Sequence, residues 1–127
     1  ANGCIEQSIC DTLTEPPPIT FNPTVTDVLC NGDCDGEIIG NPTGGVTPYS
    51  LDWIDCGTGT PIGQSSDPAT GLCPGDYQLE VTDANGCVVA SGCETVNEPP
   101  ALTSTISSTP ISCGGACDGT VTANPTG

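Results

Sequence analysis

The residues of this sequence whose type and spacing could do chemistry are its ten cysteines, set among sixteen acidic side chains with no histidine. CNGDCDG at 30–36 places Cys30 and Cys34 beside two aspartates and two glycines, and CGGACDG at 113–119 places Cys113 and Cys117 at the same spacing. Three chemistries compete for such a loop. As a calcium loop, Asp33, Asp35 and Glu37 would offer oxygens at alternate positions beside Gly36. The second copy replaces two of those oxygens, with Ala116 and Thr120, while keeping both cysteines and Asp118-Gly119. Zinc calls for CxxC spacing or histidine, and neither occurs. A redox thiol needs a nearby cation or a helix N-terminus to lower its pKa, and the sequence offers neither. Disulfides are the reading that fits both copies, with Asp35-Gly36 as a turn into a strand starting at Ile38.

The two loops belong to a longer repeat. ANGC at 1–4 returns at 84–87, and the same offset aligns Cys10 with Cys93, Glu15-Pro16-Pro17 with Glu98-Pro99-Pro100, and Asn41-Pro42-Thr43-Gly44 with Asn124-Pro125-Thr126-Gly127. An ungapped register through cysteine pairs and proline motifs marks a tandem repeat. Residues 18–100 then form one complete unit, 1–17 the tail of a preceding one and 101–127 the head of the next, so the chain reads as an interior piece of something longer. Consecutive prolines at the boundary favour polyproline II, which stiffens a linker and stops a strand ladder.

The elements that position the cysteines are strands. Tyr49, Leu51 and Trp53 alternate with polar residues; so do Tyr77, Leu79 and Val81, and Phe21, Pro23 and Val25. Asp83-Ala84-Asn85-Gly86 supplies a hairpin turn in which Asn-Gly takes positive φ. The expected fold is all-β: tandem immunoglobulin-like antiparallel β-sandwich repeats stapled by disulfides. Six cysteines in one unit allow fifteen pairings. Cys87 and Cys93 share an extended segment and lie about 20 Å apart, so they need separate partners unless Ser91-Gly92 folds that segment back. The expected set is Cys30 with Cys87, Cys34 with Cys73, and Cys56 with Cys93; a short Cys30–Cys34 loop is its competitor. Cys4, Cys10, Cys113 and Cys117 are expected to be bridged as well.

Charge narrows the function. The formal charge is −16 and no lysine or arginine occurs, so nucleic acid and anionic membranes are repelled and trypsin finds no site. Cysteine density points to an oxidising, extracellular compartment. No thiol or hydroxyl nucleophile has a histidine base and no phosphate loop has its lysine, so the chain reads as non-catalytic, without a catalytic or cofactor site. Calcium held by junction acids such as Glu94 and Glu98 stays open as an alternative to a solvated anionic surface. Every Asn-Pro-Thr is excluded as a glycosylation acceptor by its proline.

CNGDCDGEI, GGVTPYSLDW, GLCPGDYQLEVTDANGC and NEPPALT, in that order, resemble the SprB-type repeats of very large cell-surface adhesins in gliding Bacteroidota. The resemblance implies a β-sandwich module of a long filament, exported by the type IX secretion system, moved by the gliding machinery and used for cell adhesion. Its implied partners are neighbouring repeats, an external surface or glycan, and the gliding and secretion machinery acting through other parts of the protein. The absence of basic residues and the extra pair Cys56 and Cys93 depart from that pattern. They leave another surface fibre, binding calcium or glycan, as the alternative.

Overall fold

The computed structural model describes residues 12–127, which form strands and no helix. Within the repeat unit, β1 (Thr24–Thr26), β2 (Gly36–Ile39) and β5 (Ala69–Leu72) make a three-stranded antiparallel sheet in the order β1-β2-β5. The second sheet has β3 (Ser50–Asp55) and β6 (Gly75–Thr82) at its centre, with β4 (Thr60–Pro61) outside β3. The other edge of β6 is shared by β7 (Val88–Ala90), which pairs with Glu80–Thr82, and β8 (Glu94–Val96), which pairs with Gly75–Tyr77. Between them, the Ser91 hydroxyl accepts the Leu79 N–H at 2.9 Å and the Ser91 N–H reaches the Leu79 carbonyl at 2.8 Å, so the ladder is continued by a side chain.

The alternation read along Tyr77, Leu79 and Val81 puts all three in the core, and Trp53 faces them from β3. Ile38, Ala69 and Leu72 from the other sheet, with Val28 and Val96, complete one cluster shared by both sheets. That shared core makes the unit a sandwich. Trp53 keeps its indole N–H satisfied on the Ser66 carbonyl at 2.9 Å, which lets a large ring be buried without cost in hydrogen bonding. Phe21 and Val25 pack on the rim, although only Thr24–Thr26 of their stretch is a strand.

Two local expectations change. Strand β2 begins at Gly36, not Ile38, because a Cβ at residue 36 would lie 2.6 Å from a Val96 methyl and the close approach lets the ladder start there. The turn after β6 has positive φ at Gly86 (83°) but not at Asn85. Gly86 N–H bonds the Asp83 carbonyl at 2.9 Å, so it is a turn closed by one left-handed glycine.

The hairpin of β9 (Thr103–Thr109) and β10 (Thr120–Thr126) repeats the β1–β2 hairpin residue for residue. Thr24 faces Ile39 and Ser107 faces Thr122; the Thr20–Thr43 bridge recurs as Thr103 opposite Thr126. The loop bonds recur too, with Leu29 N–H to Asp35 matched by Ser112 N–H to Asp118, both at 3.0 Å. Val121 is 76% exposed where its counterpart Ile38 is 0% exposed, since residues 101–127 hold no counterparts of β3, β5 and β6 to cover it.

Disulfides join Cys34 to Cys73 and Cys56 to Cys93. The first ties β2 to β5 beyond the Gly36–Leu72 pair, and the second passes over β6 from the end of β3 to the start of β8. Each therefore staples one sheet internally, and the apolar core, not a disulfide, holds sheet to sheet. Replacing Cys56 and Cys93 together by serine is expected to cost about 2–4 kcal/mol of unfolding free energy, and Trp53→Ala about 3–5 kcal/mol, both measured as a lowered urea midpoint.

Candidate functional site

The unit has two poles, separated by the eight residues of β6, about 24 Å at roughly 3.4 Å per residue. The incoming pole receives the chain from Pro16-Pro17-Pro18. Gly45 N–H bonds the Pro17 carbonyl at 2.7 Å, and Gly44, at φ 88°, leaves only 2.0 Å between a built Cβ and the Pro18 oxygen. No other residue fits there. Asp83, 5% exposed, organises this pole: its carboxylate accepts N–H groups from Val46 (3.1 Å), Asn85 (2.8 Å) and Cys87 (2.9 Å). The Cys87 N–H does most to hold the Asp83 carboxyl below the usual aspartate range; burial opposes it, and Val46 and Asn85 add to the lowering.

The outgoing pole releases the chain at Pro99. Val28 N–H bonds the Asn97 carbonyl at 3.1 Å, and Asp27 accepts the Asn97 N–H at 2.8 Å. The loop around Cys30 is strapped to the departing chain: Asn31 Nδ2 donates to the Pro99 carbonyl at 3.0 Å and Gly32 N–H to Glu98 Oε2 at 2.9 Å. Both disulfides lie at this pole, next to the Gly36–Leu72 and Tyr77–Glu94 pairs.

This polarity corrects the expected pairing of Cys30 with Cys87. Both are free and exposed, Cys30 at the outgoing pole and Cys87 at the incoming one. A disulfide needs its Cα atoms within about 7 Å, and the length of β6 stands between these two. The Cys30–Cys34 loop is also excluded, because Cys34 is held by Cys73. Cys113 and Cys117 are free as well, against expectation; the counterpart of Cys73 that would hold Cys117 has no place in this chain. Cys4 and Cys10 lie outside the described residues.

The acidic loops serve the backbone. Asp35 accepts the Leu29 N–H (3.0 Å), Asp55 those of Gly57 and Thr58 (2.8 and 2.9 Å), and Asp67 those of Gly40 and Asn41 (2.7 and 2.9 Å). Among the described residues no three acids, cysteines or histidines come together as metal ligands. Asp33 and Glu37 do not join Asp35 in a cage, and Glu98 is turned to Gly32. The aromatic rings are in or against the core: Trp53 and Tyr77 are buried, and Tyr49 and Phe21 pack on its rim. The sequence pattern marks Asp83 only as the start of a turn and does not single out Asp67. Their signal was an aspartate just before a turn, Asp-Ala-Asn-Gly and Asp-Pro, where a side chain can take up loose N–H groups.

Residues 22–58 match the family model described as SprB repeat. That span runs from the entry into β1 through β2 and β3 to just past Cys56. No curated protein and no solved structure matches the chain.

Because the Asp83 pKa is lower folded than unfolded, its contribution to stability is full above the unfolded aspartate pKa and is lost as pH falls through the folded value. Acidification also relieves the repulsion among sixteen acids, so the comparison must be with D83N. Below about pH 4 the stability gap between the native sequence and D83N is expected to shrink, measured as the difference in urea midpoints across a pH series.

Proposed function

We propose that this chain is a non-catalytic structural segment of a long, anionic extracellular filament, in which units like residues 18–100 follow one another head to tail and serve a cell-surface adhesin. The observation that carries this reading is polarity. Chain entry and chain exit are fixed at opposite ends of the unit, each strapped to the body by hydrogen bonds, so successive units extend and do not fold back. The SprB repeat match supports a cell-surface adhesin region. Disulfides, which persist outside the reducing cytosol, support exposure beyond the cell envelope.

The finer reading is a gliding-motility adhesin delivered by type IX secretion, with its ligand-gripping surface elsewhere on the full protein. Packing of the aromatic rings in the core supports a spacer role for this unit, because sugar recognition would want them exposed. The charge of −16 supports an outstretched array through mutual repulsion of units.

An antibody raised against the chain is expected to label intact, unpermeabilised cells, and deletion of the gene to abolish spreading on agar together with attachment to glass. Label confined to permeabilised cells would overturn the surface reading; normal spreading with lost attachment would leave adhesion and remove motility. In X-ray scattering, each added unit is expected to lengthen the particle by roughly 40 Å, the span of a sandwich plus its linker.

A further inference from the structure

The two thiols left over from the unit's own disulfides stand against equivalent four-residue segments, one leaving the unit and one entering it. Cys30 lines a crevice of about 450 Å³ with Leu29, Asn31 and the outgoing residues Pro99 to Leu102. Cys87 lines a smaller one of about 190 Å³ with the incoming residues Pro16 to Ile19. In the repeat register Pro16 to Ile19 and Pro99 to Leu102 are the same positions. At any junction between consecutive units, the linker therefore lies against both the leading unit's Cys30 and the following unit's counterpart of Cys87. Apolar side chains flank both thiols, together with Asn31 at Cys30 and Asp83 at Cys87. Leu29, 78% exposed, adjoins Cys30, while Val88, 57% exposed, adjoins Cys87, so each pole offers bare hydrocarbon where the other would meet it.

We propose that consecutive units are joined by a disulfide between Cys30 of the leading unit and the following unit's counterpart of Cys87. This inference rests on the head-to-tail array. The chemistry is thiol–disulfide exchange with a disulfide oxidant such as oxidised glutathione. One cysteine thiolate attacks the oxidant's S–S bond and releases one thiol; the second cysteine attacks the mixed disulfide and releases the other. A new S–S bond forms, the oxidant's breaks, and two electrons and two protons pass from the cysteines to the two product thiols. Proximity at the shared linker drives the reaction through effective concentration.

The test uses the 127-residue chain with one further copy of residues 18–100 inserted after Pro100, oxidised with glutathione, alkylated and weighed. Relative to the 127-residue chain treated alike, the expected product holds three more disulfides: the added copy's Cys34–Cys73 and Cys56–Cys93 bridges and the junction bridge. Cys30→Ser in the first copy, or Cys87→Ser in the second, removes that bridge and exposes one more alkylatable thiol than the unsubstituted chain. Cys87→Ser in the first copy and Cys30→Ser in the second leave it intact. The inference is overturned if no junction bridge forms, or if first-copy Cys87→Ser abolishes it. X-ray scattering on the same sample separates the two ideas: an extended particle with free thiols keeps the array and removes the junction bridge.

Discussion

A chain with sixteen acids and no cationic side chain has to find every carboxylate a partner among neutral groups. Water serves the exposed ones. Where loops turn, the partner is the backbone: Asp35, Asp55, Asp67 and Asp83 each accept N–H groups that a turning chain would leave unpaired. A hydrogen bond to a charged acceptor is worth roughly twice a neutral one, so such loops are fixed without a cationic side chain. The outer surface carries negative charge with no cationic side chain to offset it, which opposes collapse of one such unit onto another. Loop order and array extension thus share one cause.

The remaining stability has to come from a short list of apolar residues and from sulfur. Nine buried hydrophobic residues, most of them on β2, β5, β3 and β6, hold the sheets together. Small sandwiches of this kind bury a modest fraction of their surface, and cross-links compensate by restricting the unfolded chain. Both cross-links sit at the outgoing pole. The incoming pole is closed instead by Asp83, by Gly44 against Pro18, and by the Thr20–Thr43 bridge. One end is covalent and the other electrostatic, so the two ends answer differently to reductant and to acid.

Strand content was legible where one face is buried and the other wet. Tyr77 to Val81 alternates cleanly because β6 lies at the centre of its sheet, and Trp53 stands out as the largest inward residue. Val28, Ala69 and Val96 gave no such signal, since each belongs to a loop or to a strand of three or four residues, too short to establish a period. The pairings Cys34–Cys73 and Cys56–Cys93 lie beside strand neighbours. The position of Cys30 relative to Cys87 depends on which end of the sandwich each loop occupies, and that is a property of strand order which period-two patterning does not encode. Asp83 was hidden for another reason. A buried acid in so acidic a sequence has no compositional contrast, and only its three N–H donors distinguish it.

Tension along an array would enter each unit near Pro17 and leave near Asn97, so it loads the terminal strands β1 and β8 along their length. Peeling β1 from β2 consumes chain only as far as Cys34, where the bond to Cys73 stops it. Peeling β8 from β6 reaches Cys93 and meets the bond to Cys56. The two covalent loops overlap in sequence, Cys34 to Cys73 and Cys56 to Cys93, so they interlock. Even a fully unfolded unit then transmits force from Cys34 across to Cys73, back through the segment to Cys56, and across to Cys93. Most of β3, β6 and β7 lies outside that load-bearing path. Once the core has yielded, further extension under load is limited by sulfur.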